Sequence, residues 1–220
     1  MKNNFLKNSV IAHRGIYDNK KTYENSLEAF KKAIDKGYAI ELDLRITSDN
    51  KIIVFHDDTL DRLTDSKGKI ELLTLDEIKK IKLINGTSIP TFDEVLDLVS
   101  GKVPLLIELK TIKGFRLEKE VSKRLSDYHG EYAIQSFNPK TIIWFRLFKK
   151  DITRGLLISP RTIKSLKIIG VCKPDFINVN KSILDNEGIK DFKGIKIAYV
   201  IDKKEKNNYN DKCDNMICNI

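Results

Sequence analysis

The chain has 220 residues, of which 41% are hydrophobic, and it carries a formal net charge of +9. This length suits one barrel-sized domain, and the apolar content excludes an intrinsically disordered chain. The lysines are scattered along the chain and mixed with acidic residues, which favours a solvated basic surface over a nucleic-acid footprint, so no nucleic-acid partner is expected.

In chain order, the first half alternates short apolar runs with amphipathic stretches. The apolar runs predict strands over residues 10–12, 40–46, 52–55 and 105–109. The amphipathic stretches predict helices over residues 26–36, 75–83, 92–99 and 117–128. The connection between residues 46 and 52 is too short for a helical crossover. It forms either a hairpin or an extended return across the rim of the sheet.

The second half continues the same alternation. We predict strands over residues 133–136, 155–158, 176–179, 195–201 and 215–220, separated by helices over residues 139–148, 162–169 and 182–192. Eight or nine strands in this rhythm predict an α/β fold, a TIM-type (β/α)8 barrel without a large insertion, in a single domain over residues 1–220. The absence of a G-x-G-x-x-G motif after the first strand leaves a dinucleotide-binding fold without support.

Three cysteines, Cys172, Cys213 and Cys218, come late in the chain and form no C-x-x-C pair. Their odd number and spacing predict reduced thiols and a cytoplasmic location, and they argue against a zinc site. The apolar runs are too short for a transmembrane segment, and the first residues do not resemble a signal peptide. Transient contact with a membrane remains compatible with the sequence, and the oligomeric state is left open.

Acidic residues occupy alternate positions of the predicted strand over residues 40–46. Glu41 and Asp43 would face the barrel interior, where two carboxylates need a proton, a basic partner or a metal ion. The alternative is an exposed edge strand, or a salt bridge to Arg45. Glu108, near the end of a later strand, adds a third carboxylate. Three hard oxygen ligands suit Mg²⁺ or Ca²⁺, with water and a phosphate completing the coordination.

Two of the three histidines, His13 and His56, close predicted strands. A single histidine in such a place usually has a structural role, but two of them suggest an acid/base pair for phosphodiester cleavage. Arg14 offers a planar fork for phosphate oxygens and Lys110 offers a second cation. The third histidine, His129, precedes a glycine in a loop and is expected on the surface.

Five segments taken together resemble the glycerophosphodiester phosphodiesterase family, which shares its barrel with the phospholipase C-like phosphodiesterases. They are Ile-Ala-His-Arg-Gly, Tyr-Glu-Asn-Ser, Ile-Glu-Leu-Asp-Leu-Arg-Ile-Thr-Ser-Asp-Asn, Ile-Val-Phe-His-Asp-Asp-Thr-Leu-Asp-Arg and Ile-Glu-Leu-Lys. The resemblance is densest over residues 10–110 and continues more weakly through Gln-Ser-Phe at residues 135–137. Each motif alone is unspecific, whereas their ordered combination is specific.

The resemblance implies metal-dependent hydrolysis of a small glycerophosphodiester to glycerol 3-phosphate and an alcohol such as choline or ethanolamine, in lipid and glycerol metabolism. It implies a direct attack by water or a cyclic phosphate made by the substrate's own hydroxyl. The implied acid/base pair is His13 and His56. The implied substrate contacts are Arg14, Lys110, Glu24 and Asn25. The implied ligands of one divalent cation, Mg²⁺ or Ca²⁺ with Mn²⁺ as a further option, are Glu41, Asp43 and Glu108.

The chain departs from the family pattern in several places. Tyr23 and Ser26 flank the Glu-Asn pair where the family usually has Pro and Thr. The late Trp-Thr motif appears as Ala-Tyr-Val-Ile at residues 198–201, and the terminal Thr-Asp appears as Cys218-Asn219. The segment after His56 is short, which implies an open substrate pocket. These departures concern the pocket more than the acid/base and carboxylate set.

Two alternatives follow. One is lysophospholipase D-type cleavage of lysophospholipids, which an apolar rim would indicate. Its candidate residues are Phe115, Trp144, Phe145 and Phe148, although helical spacing predicts that the last three belong to the core. The other alternative is an inactive phosphate-binding homologue. The presence of both histidines, all three carboxylates and both cations argues against it, because binding alone needs no acid/base pair.

Overall fold

The computed structural model describes residues 4–110, 114–163 and 166–220. Its strands are β1 (Ile11–His13), β2 (Ala39–Ile46), β3 (Ile52–Val54), β4 (Leu105–Leu109), β5 (Tyr132–Ser136), β6 (Arg154–Ile158), β7 (Phe176–Asn180), β8 (Ile195–Asp202) and β9 (Asn215–Asn219). Its α-helices are α1 (Phe5–Asn8), α2 (Leu27–Asp35), α3 (Leu75–Lys80), α4 (Phe92–Val99), α5 (Arg116–Leu125), α6 (Pro139–Phe148), α7 (Ile168–Cys172) and α8 (Glu187–Lys190).

Eight of these strands close into a parallel barrel. The order around the barrel is β1-β9-β8-β7-β6-β5-β4-β2, and β2 pairs back onto β1. Ile11 of β1 is in register with Ala39 on one side and with Ile217 on the other. The predicted TIM-type barrel is therefore confirmed, and the closure leaves the eight parallel strands without an open edge.

Strand β3 is an addition to the barrel and runs antiparallel to β2. Leu44 is in register with Val54, and the backbone N–H of Phe55 donates to the carbonyl oxygen of Asp43 at 3.0 Å. The connection between residues 46 and 52 is thus a hairpin. Because the second strand of a hairpin returns along the first, the chain after β3 arrives beside Asp43. His56 reaches the barrel mouth by this return.

The two faces of β2 have different surroundings, as the alternation predicts. Ile40, Leu42 and Leu44 point outward and join the main hydrophobic core with residues of the covering helices, such as Phe30 of α2 and Phe92 of α4. All five side chains are fully buried. At about 25 cal/mol per Å² of buried apolar surface, this layer between barrel and helices is a major source of stability. The acidic residues of β2 point the other way, into the barrel.

Local signals explain where several helices begin. Thr74 and Thr91 each form a capping box, with Glu77 and Glu94 respectively, so α3 and α4 begin where the sequence predicts. Ser26 accepts a hydrogen bond from the backbone N–H of Ala29 and caps α2. Helix α3 ends at Lys80, short of the predicted residue 83. Residues 82–88 instead form an antiparallel bridge and a turn.

The late helices depart from prediction. A helix predicted over residues 182–192 is replaced by a 3₁₀ turn (Lys181–Ile183) and the short α8. The side chains of Asn180 and Asn186 each accept a backbone N–H two residues on, which starts a new turn and interrupts a continuous helix. Of the helix predicted over residues 162–169, residues 164–165 lie outside the described part of the chain, and α7 begins only at Ile168.

The start of the chain also differs from prediction. Helix α1 was not predicted, and it buries Phe5 and Leu6 against Ile11 and Leu106 in a second core cluster. Among the helices that the structure describes, none combines the length and the apolar character needed to cross a bilayer. The three cysteines are free thiols, as expected.

Candidate active site

The nine predicted site residues come together at the end of the barrel where the parallel strands finish. Six of them line a cavity of about 130 Å³. The cavity is lined by His13, Arg14, Glu41, His56, Glu108, Lys110, Gln135, Phe137, Leu157, Tyr199, Val200 and Ile217. Asp43 is not among the lining residues, but it forms ion pairs with Arg14 and Lys110, which are. Polar groups of different strands therefore converge at the usual catalytic face of such a barrel.

The turn after β1 is shaped for this convergence. Arg14 has a positive φ of 56°, and its backbone N–H donates to Glu41 Oε2 at 3.1 Å. Gly15 follows with φ of 84°, and a Cβ there would lie 2.8 Å from the carbonyl carbon of Ala29. Only glycine accepts both the conformation and the close approach of α2. Asn25, with φ of 55°, donates its backbone N–H to the carbonyl oxygen of Arg14 at 3.0 Å and fixes the loop.

The three carboxylates form one cluster. Glu41, Asp43 and Glu108 each offer an oxygen, and these oxygens lie within 4.8 Å of one another. All three are buried, with 2%, 1% and 6% of their surface exposed, so the alternative of a solvated edge strand is wrong. Two cations approach them: Arg14 Nε lies 3.2 Å from Asp43 Oδ2, and Lys110 Nζ lies 3.0 Å from Asp43 Oδ1 and 2.5 Å from Glu108 Oε1.

Arg45 does not form the salt bridge to Glu41 or Asp43 that the sequence left open. Its guanidinium donates to the carbonyl oxygen of His56 at 2.9 and 2.7 Å and to Asp58 Oδ1 at 2.6 Å. These contacts hold the turn after β3 against the end of β2. Arg45 therefore helps to place His56. The positive charge near the carboxylates of β2 comes instead from Arg14 and Lys110.

The cluster is asymmetric in charge. Burial raises the pKa of Glu41 well above its ordinary value, and the charges of Asp43 and Glu108 add to this. Burial also raises the pKa of Glu108 to about 7, against the pull of Lys110. Burial opposes the ionisation of Asp43 too, yet Lys110 and Arg14 outweigh it and hold its pKa well below its ordinary range. Asp43 is thus the anion that the two cations satisfy.

The donor set fits a hard divalent cation. Three buried carboxylates face two cations, so full ionisation leaves a net negative charge in a low dielectric. Glu108 Oε1 makes the short ion pair with Lys110 but no aligned hydrogen bond within the described residues, so it keeps a free acceptor direction. Carboxylate oxygens at this spacing are typical ligands of oxygen-seeking divalent ions. Glu41, Asp43 and Glu108 could together hold one.

The two histidines have different partners. His13 Nδ1 lies 2.9 Å from Asn219 Oδ1, whereas His56 Nδ1 lies 2.5 Å from Asp57 Oδ1. Burial and the charge of Arg14 lower the pKa of His13 to about 4. Burial also lowers the pKa of His56, although Asp43 and the hydrogen bond to Asp57 act in the opposite direction. His13 is therefore the more firmly neutral imidazole, and His56 is the one with an anionic partner.

Glu24 and Asn25 are part of the site's support. As far as the described residues go, neither lines the cavity. Glu24 accepts hydrogen bonds from Arg14 Nη1 at 2.7 Å and from Arg62 at 2.7 and 3.0 Å. Asn25 Nδ2 donates to Asp43 Oδ2 at 2.8 Å. Both residues therefore position the side chains of Arg14 and Asp43. The resemblance implies that Glu24 and Asn25 contact the substrate, but in the structure they lie outside the cavity lining.

Several residues of the site were not singled out from the sequence. Arg62 donates to Glu24 and to Asp57 Oδ2, the latter at 2.6 Å, and so connects the loops that carry the two histidines. Gln135 Nε2 approaches Glu41 Oε1 at 3.4 Å. Asn219 contacts His13. Each stands inside or beside a family motif, in the segments Thr-Leu-Asp-Arg, Gln-Ser-Phe and the altered terminal Thr-Asp, and that position was the available signal.

Two further spaces adjoin the cavity. A cleft of about 670 Å³ opens beside it, lined by Arg45, Asp58, Lys69, Glu71, Leu72, Glu108, Leu109, Lys110, Arg116, Ser136, Phe137 and Asn138. A mostly apolar pocket of about 210 Å³ is lined by Phe137, Pro139, Leu156, Leu157, Ile158, Thr162, Leu166, Ile168 and Ile169. Phe137 lines all three spaces, and Leu157 lines both the cavity and the apolar pocket.

Of the four aromatic residues considered for an apolar rim, two lie in the core and two are exposed. Trp144 and Phe145 are buried, as helical spacing predicts, but Phe148 at the end of α6 is 64% exposed, and its assignment to the core is wrong. Phe115 is partly exposed and stacks on Trp144, with ring centroids 6.4 Å apart. His129 is exposed, as predicted.

Comparison with known proteins gives a consistent result. The Glycerophosphoryl diester phosphodiesterase family profile matches residues 13–205. A glycerophosphodiester phosphodiesterase of Caldanaerobacter subterraneus subsp. tengcongensis is 35% identical in an alignment of 166 positions, and the match covers 69% of this chain and 67% of that protein. The chain spans about two thirds of the length of this relative and of two Bacillus relatives, and about half the length of the bovine and human relatives that it matches.

Solved structures share the fold. An Oleispira antarctica phosphodiesterase, solved in complex with the product sn-glycerol-3-phosphate, superposes with a TM-score of 0.84 at 23% identity, covering 96% of this chain and 92% of that one. A glycerophosphodiester phosphodiesterase of Thermotoga maritima superposes with a TM-score of 0.77 at 26% identity, covering 96% and 93%. The first likeness, at its low identity, is evidence for the fold alone.

Proposed function

The chain belongs to the glycerophosphoryl diester phosphodiesterase family, and from this premise we propose that it hydrolyses glycerophosphodiesters to glycerol 3-phosphate and an alcohol. The observation that carries the proposal is the cavity itself, where His13 and His56 meet the carboxylate cluster and two cations. Phosphodiester hydrolysis needs a base for the attacking oxygen and an acid for the leaving oxygen. An imidazole pair supplies both, whereas a site that only binds phosphate needs neither.

The remaining groups have separate tasks in this proposal. Arg14 and Lys110 carry the positive charge of the cavity wall and would bind the phosphoryl oxygens. A divalent ion on Glu41, Asp43 and Glu108, which we propose to be Mg²⁺ or Ca²⁺ with Mn²⁺ as a further option, would neutralise charge that develops on the phosphoryl group. The three free cysteine thiols support a reducing, cytoplasmic location.

A metal-by-substrate matrix tests this proposal. The purified chain is incubated with glycerophosphocholine, glycerophosphoethanolamine, glycerophosphoglycerol and glycerophosphoinositol, each with Mg²⁺, Ca²⁺ or Mn²⁺ or with a chelator. Release of glycerol 3-phosphate and the free alcohol in at least one metal-containing combination is expected. Phosphorus NMR of the early products separates direct hydrolysis from a route through a cyclic phosphate. Failure to form product in every combination would refute the proposal.

One observation favours a second substrate, a lysophospholipid cleaved in the manner of a phospholipase D. The apolar pocket shares Phe137 and Leu157 with the catalytic cavity, so a chain attached to the glycerol could enter it. Its volume of about 210 Å³ accommodates part of an acyl chain and not all of one. If an acyl chain enters this pocket, Leu166→Gln in the pocket wall should lower turnover of lysophosphatidylcholine and leave that of glycerophosphocholine unchanged. Equal effects on both substrates, or no turnover of lysophosphatidylcholine, would exclude it.

A further inference from the structure

A hydrogen-bonded chain of three side chains leads from His13 in the catalytic cavity to two exposed residues, Asn219 and Asp202. His13 Nδ1 contacts Asn219 Oδ1 at 2.9 Å, and Asn219 Nδ2 donates to Asp202 Oδ1 at 3.1 Å. Asp202 ends β8, Asn219 ends β9, and the two are in register. Each barrel strand in this sector therefore contributes its last residue to one line that ends on the imidazole of β1. Neither Asn219 nor Asp202 has a part in the chemistry described above.

The line has a direction because its outer member can only accept. A carboxylate offers lone pairs and no proton, so the amide must turn its NH₂ group toward Asp202. The amide oxygen then faces His13, and an oxygen acceptor at 2.9 Å requires a proton on Nδ1. In a neutral imidazole with its proton on Nδ1, Nε2 carries the free lone pair. The orientation of the amide thus decides which nitrogen of His13 can accept a proton.

We propose that Asn219 is a positioning residue that holds His13 in its Nδ1–H tautomer, with Asp202 fixing the amide, so that Nε2 is the basic nitrogen offered to the cavity. Only the catalytic consequence rests on the proposed function. The tautomer is a property of the folded protein whether or not a substrate is turned over. A neutral amide suits this role because it orients the ring of His13 without adding a negative charge.

The charge of the partner of His13 affects whether the imidazole is protonated. The charged groups that act most strongly on this ring are Arg14, Asp43 and Glu24. Arg14 stands next to it and disfavours an imidazolium, while the two carboxylates act in the opposite sense. A carboxylate in place of Asn219 would add a further anion and favour protonation of the ring. The hydrogen bond to the Asn219 amide also raises the pKa of the ring, but an uncharged partner adds no anion. Burial and Arg14 outweigh it and hold the pKa of His13 at about 4, so the imidazole keeps its lone pair for proton transfer.

The test reads the tautomer and the rate separately. In protein labelled with ¹⁵N-histidine, the wild type should show a protonated Nδ1 and an unprotonated Nε2 for His13 near neutral pH. Asn219→Leu removes the acceptor, so the ring should give mixed tautomers, and kcat should fall about 10- to 100-fold with KM changed less than about twofold. Asp202→Leu should produce a smaller change of the same kind. Asn219→Asp keeps an oxygen acceptor, so it should retain the Nδ1–H signal and shift the acidic limb of the rate profile to higher pH.

The matched control is Asn215→Leu, at the other end of β9. Asn215 Nδ2 donates to the carbonyl oxygen of Ser9, and the residue lies at the far end of the strand from His13. If Asn219→Leu keeps the Nδ1–H signal, or lowers kcat no more than Asn215→Leu does, the proposal is overturned. An inactive wild type with the expected tautomer would refute the proposed function and leave the tautomer assignment standing, because the NMR signal needs no turnover.

Discussion

The guanidinium of Arg62 donates two hydrogen bonds to the buried carboxylate of Glu24, at 2.7 and 3.0 Å. Its other side binds Asp57, which in turn holds His56. Glu24 also binds Arg14, the residue after His13. A line of alternating charges therefore spans the barrel mouth and sets the spacing of the two histidines, so its removal should affect stability and catalysis together.

Replacement of Arg62 by leucine should destabilise the protein by about 2 kcal/mol, because Glu24 loses two charge-assisted hydrogen bonds while it remains buried. Arg62 itself is 44% exposed, so water can partly replace it and the loss stays below that of a fully buried pair. Urea unfolding measures the difference. The control is Arg124→Leu, which breaks surface ion pairs with Asp93 and Glu120 and should cost less than about 1 kcal/mol. Equal costs for the two variants would contradict the assigned role of Arg62.

Stability should depend on pH through Glu24. Burial alone would raise the pKa of Glu24, but the hydrogen bond from Arg62 and the charge of Arg14 lower it to about 2. Because the pKa is lowered on folding, the stabilisation is present above the unfolded pKa of 4.5 and is lost as the pH falls toward 2. Glu24→Gln should therefore flatten the fall of unfolding free energy between pH 4.5 and 2. The control is Glu28→Gln, at an exposed position on α2, which should show the same slope as the wild type. A Glu24→Gln slope equal to the wild type would contradict the prediction.

Gly15→Ala should destabilise the protein by more than about 1 kcal/mol and should also lower activity. The new methyl group meets a positive φ and the backbone of Ala29 at 2.8 Å, so the turn that carries Arg14 must shift. Thermal unfolding and kcat/KM measure the two effects. Gly170→Ala in α7 is the control, because a methyl group there meets open space among the described residues and alanine favours a helix. An unchanged melting temperature and rate for Gly15→Ala would refute the role of this turn.

Divalent-ion binding should depend on Glu41 and Glu108 and should weaken in acid. Burial raises the pKa values of both carboxyl groups, that of Glu108 to about 7, so binding of an ion must displace protons. Calorimetric titration should show proton release near neutral pH and an affinity that falls as the pH drops below about 7. Glu108→Gln should weaken binding at least about 10-fold, whereas Glu131→Gln, at an exposed position, should not. Binding of equal strength in Glu108→Gln would place the ion elsewhere.

The sequence predicts the barrel and most of the site for a physical reason. Period-two alternation places Glu41 and Asp43 on one face, and parallel strands bring their ends to one edge of the barrel, so convergence with Glu108 follows from local pattern alone. The sequence does not distinguish a hairpin to β3 from an extended return across the barrel rim, because a five-residue connection permits both paths. It is pairing with β2 that selects the hairpin.

The contacts that sequence reasoning missed join residues that are distant in the chain. Arg62 and Glu24 are 38 residues apart, and Asn219 and His13 are 206 apart. No local periodicity carries such a contact, because it depends on how strands close the barrel. The interrupted helix before β8 was missed for the opposite reason. The Asn180 and Asn186 caps are local signals that compete with the helical pattern, and in the folded chain these caps prevail over the pattern.

The most direct measurement of the central claim is the rate of glycerol 3-phosphate release by His13→Ala and His56→Ala, with His129→Ala as the matched control. His129 is exposed and lies in the loop before β5, so its loss should leave the rate unchanged. Each of the other two variants should lose about 100-fold or more in kcat while its unfolding transition stays close to that of the wild type. Full activity in either His13→Ala or His56→Ala would contradict the assignment of these histidines as the acid/base pair.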